Sequence, residues 1–172
     1  MFLGGIDLKL WMAQGFGIGR LPIAPGTFGS LIGVGWFALL VSFGNPGWFL
    51  LGIVAGFFLS VWLCGEGERI LQLRDPGSIV LDEITAMPIC FLGWLIALLA
   101  RTGSWPSAQF FFNQGKWKWT LAIFLAFRVF DVLKPWPVKQ SQQLRGGWGV
   151  TVDDFLAAFY VSILSGIASL VL

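Results

Sequence analysis

The sequence contains no histidine, only one tyrosine and two cysteines, and charged residues make up just 12% of its 172 positions. Without histidine there is no phosphohistidine intermediate, no Ser-His-Asp triad and no histidine-ligated zinc or iron. Any chemistry must then use carboxylates, lysine, arginine, hydroxyls, or a metal held by oxygen. Cys64 and Cys90 both lie in apolar stretches and read as small core residues, with nothing to pair them. Cys64 and Arg69 are one residue too close for a thiol-phosphatase loop, and no Asp-x-Asp nucleophile motif occurs. The net charge of +2 comes without a basic run and gives no support to nucleic-acid binding. Residues 1–27, with Asp7, Lys9 and many glycines, lack the shape of a cleavable signal peptide.

What is abundant is apolar: 56% of the residues are hydrophobic and the mean hydropathy is +0.79. This balance predicts a polytopic integral membrane protein forming one membrane-embedded domain over residues 1–172. Five candidate spans follow: Phe28–Gly44, Trp48–Cys64, Ile84–Ala100, Trp119–Leu133 and Phe155–Leu172. Each is at or below the usual crossing length of about 20 residues, so four to five membrane-embedded helices are expected. Asn45-Pro46-Gly47 marks a turn between the first two. With the N-terminus inside, the inner segments hold seven of the lysines and arginines and the outer segments three, which favours a cytoplasmic N-terminus. Trp105, Trp117, Trp119, Trp136 and Trp148 fall near span ends, as in an aromatic belt.

The acids are concentrated in segments on that same face. Asp75-Pro76 reads as a helix cap followed by proline at the first helical position, and a continuous helix would align Asp75 with Asp82. Asp82-Glu83 stands where a helix enters lipid. Two carboxylates about 4 Å apart repel by roughly 4 kcal/mol at an effective dielectric of about 20, so solvent, protonation or a bound cation must relieve them. Asp153-Asp154 precedes the last span; there Thr151 could cap the helix with Asp154 completing a capping box. As paired acids on one face, Asp75, Asp82, Glu83, Asp153 and Asp154 are candidate ligands of an oxygen-only magnesium site. Arg128, Asp131 and Lys134 recur every three residues, either as a snorkelling cluster or as functional groups, with Lys134 suited to a phosphate. The stretch holding Gly26, Thr27, Gly29 and Ser30 opens a helix and could cradle an anion, or simply turn the chain into the membrane. Glu66 and Glu68 read as solvated or paired with Arg69, with support of a metal site as the alternative.

Taken together, four motifs resemble the phosphatidylglycerophosphatase A family of bacterial membrane phosphatases. They are Ala24-Pro25-Gly26-Thr27 with Gly29-Ser30; Asp75-Pro76 with Ile79-Val80 and Asp82-Glu83; Phe130-Asp131 with Lys134-Pro135-Trp136-Pro137; and Gly146-Gly147 with Gly149-Val150 and Asp153-Asp154. Ala86 and Ala158 stand where that family usually has glycine, which predicts altered helix packing. The resemblance implies an all-helical fold and Mg²⁺-dependent hydrolysis of an anionic phospholipid, phosphatidylglycerophosphate, at the cytoplasmic face of the bacterial inner membrane. It implies catalytic roles for Asp82, Glu83, Asp131, Lys134, Asp153 and Asp154, and phosphate binding by Lys134 and the Gly26–Ser30 loop. No protein partner is inferable. The competing reading is a non-enzymatic cation-binding or transport protein built on the same acids.

Overall fold

The computed structural model describes residues 7–170. Residues 1–6 of the expected membrane approach and 171–172 of the last expected span lie outside them. Among the described residues there are helices and no strands: α1 Leu8–Ala13, α2 Pro25–Ser42, α3 Pro46–Leu71, α4 Leu81–Cys90, α5 Leu92–Thr102, α6 Ala108–Phe112, α7 Trp117–Leu133, α8 Val138–Ser141 and α9 Gly147–Ser169.

Among the described residues, four segments are long and apolar enough to cross a membrane: α2, α3, the broken α4–α5 rod over Leu81–Thr102, and α9. At 17 residues α7 is shorter, about 26 Å at 1.5 Å per residue. It nevertheless runs the length of the bundle. Thr120 near its start donates to the Phe111 carbonyl, while Arg128 near its end donates to Ser30 in the first turns of α2.

The helices begin earlier than hydropathy alone suggested. Pro25 and Pro46 occupy first-turn positions, where a missing amide costs nothing, and the Asn45 side chain caps α3 by accepting from the Gly47 amide at 2.7 Å. Asp82-Glu83 and Asp153-Asp154 therefore lie inside α4 and α9 and not ahead of them. Pro88 deprives the Ile84 carbonyl of its usual partner, and the helix breaks three residues later at Phe91.

Packing relies on small residues, as expected where lipid supplies no hydrophobic drive between helices. On α2, Gly29 and Gly33 lie against Val80 and against Met87 with the Ile84 carbonyl, so that α2 meets α4 almost backbone to backbone. Ala86 and Ala158 are fully buried in the main core. The far end of the bundle is aromatic: Phe37 stacks on Phe91 with centroids 3.8 Å apart, and Phe111 meets Phe37 edge-on. Trp105 donates to the Val41 carbonyl there, whereas Trp117, Trp119, Trp136 and Trp148 are exposed, in keeping with the expected belt. Cys64 and Cys90 are free and buried.

Candidate active site

The opposite end of the bundle collects the starts of α2, α4 and α9 with the end of α7. Asp82 and Glu83 occupy the first turn of α4, and Asp154 arrives from the second turn of α9. One carboxylate oxygen from each of the three lies within 4.8 Å of the others. Asp82 Oδ1, Glu83 Oε2 and Asp154 Oδ2 are buried and make no hydrogen bond among the described residues. Burying a charge without a partner is costly, so three converging acids that each keep an orphaned oxygen call for a shared cation or shared protons.

Two cations flank the triad. Arg128 Nη1 lies 2.8 Å from Asp131 Oδ2 and 3.8 Å from Glu83 Oε1, and it donates to Ser30 Oγ at 3.1 Å. Lys134 caps α7 in a left-handed conformation, φ 43°, and its ammonium reaches Asp153 Oδ2 at 2.5 Å. Burial alone would lower the Lys134 pKa, but the Asp153 carboxylate outweighs it and holds it above the usual lysine value. Asp153 also accepts from the Asp154 amide, which ties the two adjacent acids to different tasks.

Several expectations are corrected. No helix starts at Pro76: Asp75 sits in a turn with φ 46°, so it does not share a helix face with Asp82. Its carboxylate accepts from Gln142 and its amide donates to Glu68, which puts Asp75 outside the converging triad. Thr151 does not cap α9; it is buried inside that helix and donates to Ser60. Lys134 lies past the last residue of α7, so only Arg128 and Asp131 share its final face. Glu66 pairs with Lys9 and Arg69.

The Gly26–Ser30 stretch does open a helix, but its groups are largely engaged. The Thr27 and Phe28 amides donate to the Ala24 carbonyl, and Ser30 donates to the Gly26 carbonyl while accepting from Arg128. Gly29 makes room for Val80, Thr27 is half-buried, and Gly26 lies directly against the Glu83 carboxylate.

One element had no precursor in the motifs. The N-terminal segment braces the loop that delivers Asp82 and Glu83. The buried Gln14 accepts from Arg20 at 2.8 Å and donates to Ser78, and the Ala13 carbonyl accepts from the Val80 amide. Outward of the acids, an open cavity of about 380 Å³ is lined by Glu68, Arg74, Asp75, Lys139 and Gln142. Val150 also borders it, one turn before Asp154.

The sequence profile described as "Phosphatidylglycerophosphatase A" matches residues 11–169. A Haemophilus influenzae protein of that name is 38% identical over 154 residues, covering 89% of this chain and 83% of the relative. The Escherichia coli protein of the same name is 34% identical over 147 residues, 85% of this chain and 74% of its own. A Bacteroides thetaiotaomicron protein named "Putative phosphatidylinositol-3-phosphatase" is 34% identical over 166 residues, 94% of this chain and 93% of its own. No solved structure matches the chain significantly.

Proposed function

The chain belongs to the phosphatidylglycerophosphatase A family, and from that premise we propose that it removes the terminal phosphate of phosphatidylglycerophosphate, leaving phosphatidylglycerol and inorganic phosphate. The observation that carries this reading is the convergence of Asp82, Glu83 and Asp154 at one end of a membrane-length bundle, each with an orphaned oxygen. A transport role for the same acids is disfavoured by family membership and by their clustering at one end of the bundle.

Magnesium suits this donor set: the ligands are all oxygen, three come from protein, and the remaining positions fall to water or phosphate. Asp82, Glu83 and Asp154 would hold it. Among the described residues the five carboxylates, Asp131 and Asp153 included, find ion-pair partners only in Arg128 and Lys134, so acids outnumber cations at the site, which favours a divalent ion. When bound, the ion would neutralise the phosphate and activate water.

The chain's own groups would supply the rest. Lys134 holds Asp153 in place and keeps further N–H donors for a phosphate oxygen. Asp131 orients Arg128. The attacking water would give a proton to a carboxylate of the cluster; its oxygen bonds to phosphorus as the ester P–O bond breaks, and the departing lipid oxygen takes up a proton. Direct attack by a carboxylate, giving an acyl phosphate that water then cleaves, is the alternative route. The chain would act as a single membrane-embedded domain. The bias of lysine and arginine toward the acid-bearing end supports a site facing the cytoplasm at the inner membrane.

The Bacteroides relative gives a second substrate reading, phosphatidylinositol 3-phosphate. Phosphate release from mixed micelles of either lipid separates the two. Faster turnover of phosphatidylglycerophosphate supports the proposal, and preference for the inositol lipid overturns it.

A further inference from the structure

Arg128 was legible in the sequence only as a member of a charged helix face, yet its surroundings are those of a ligand-binding group. Its Nη1 atom takes every protein partner: Asp131, Ser30 and, at longer range, Glu83. Its Nη2 atom makes no hydrogen bond among the described residues. That atom lies 3.3 Å from where a Cβ on Gly26 would be, beside the space that the Glu83 carboxylate occupies. Glu83 joins the two features, since its Oε1 faces Arg128 while its carboxylate is also one of the converging three.

We propose that Arg128 binds a phosphoryl oxygen of the substrate through Nη2, the guanidinium nitrogen that its partners among the described residues leave free. The inference rests on the phosphatase reading above. A guanidinium suits the task because its planar fork can be fixed along one edge and present the other to a phosphate, which a lysine ammonium cannot do. Asp131 and Ser30 fix the inner edge. Lys134 uses one of its donors on Asp153, and Arg128 adds a second flanking cation whose Nη2 makes no hydrogen bond among the described residues. The Gly26–Ser30 stretch then serves phosphate binding mainly by holding this arginine, and less through its own amides.

The test uses purified wild type, Arg128→Lys and Arg128→Ala in detergent with Mg²⁺ and phosphatidylglycerophosphate, with inorganic phosphate as competing probe. For Arg128→Lys, kcat should fall about a hundred- to a thousandfold, as for loss of one donor to a developing oxyanion. Inhibition by inorganic phosphate should weaken by about tenfold or more while the Mg²⁺ needed for half-activation stays within about twofold. Added guanidinium should restore part of the activity of Arg128→Ala. Retention of phosphate inhibition and kcat in Arg128→Lys would overturn the proposal. Recovery of kcat at high Mg²⁺ would also overturn it, by showing that Arg128 only holds Glu83. A wild-type protein that releases no phosphate would overturn the phosphatase reading, and this inference with it.

Discussion

The carboxylate of Glu83 fills the space where a side chain on Gly26 would lie. The contact links the first turn of α2 to the first turn of α4, and it makes glycine a requirement of the site itself. Gly26→Ala must push Glu83 away or part the helices, at a cost of about 1–3 kcal/mol. Its kcat should fall at least about tenfold, with the Mg²⁺ requirement raised, because Glu83 leaves the triad. A magnesium titration of phosphate release checks both effects.

Asp154→Asn removes one of three converging charges. In EDTA the variant should unfold at a temperature equal to or above that of wild type, because like-charge repulsion is relieved. Wild type should gain stability on adding Mg²⁺, about 2.7 kcal/mol at a hundredfold excess over its dissociation constant, and Asp154→Asn should gain little. Thermal unfolding in detergent, with and without Mg²⁺, reads this without any activity assay.

Lys134→Met leaves Asp153 buried without its cation. Loss of a partner from a buried pair costs about 3 kcal/mol, read as a drop in unfolding temperature. The folded pKa of Lys134 is raised, so its contribution is fully present below the unfolded value of about 10.4 and is lost only as pH rises through the folded value. Ionisation of Lys134 itself should therefore add no pH dependence to the difference between variant and wild type from about pH 7 to 9.

Gln14→Ala removes the amide that joins Arg20 to Ser78. The stability cost is about 1 kcal/mol. Amide exchange at Ile79 and Val80 should quicken, and the Mg²⁺ requirement should rise because the loop ahead of Asp82 is less well held. Unchanged exchange at those two amides would show that the brace does not govern the loop.

Much of the site could be read from the sequence, because paired acids in an apolar chain are conspicuous. Asp82, Glu83 and Asp154 stood out for that reason, as did the order of the motifs around them. The helix starts were misplaced because hydropathy sees only apolar residues, whereas Pro25 and Pro46 set the first turns by backbone chemistry. Asp75 was misread for a related reason: a left-handed turn residue followed by proline looks like a cap in one dimension. The parting of Asp153 from Asp154 depends on Lys134 reaching across from α7. Likewise, the bond from Arg128 to Ser30 joins residues 98 positions apart on two helices, a distance no local periodicity reports.

The most direct test of a magnesium-dependent phosphatase centred on this triad is phosphate release from phosphatidylglycerophosphate by purified protein in detergent. Wild type would be compared with added Mg²⁺, with EDTA, and as Asp82→Asn. The account predicts release that requires Mg²⁺, stops in EDTA and is lost in the variant. Release that persists in EDTA, or that survives in Asp82→Asn, would contradict it.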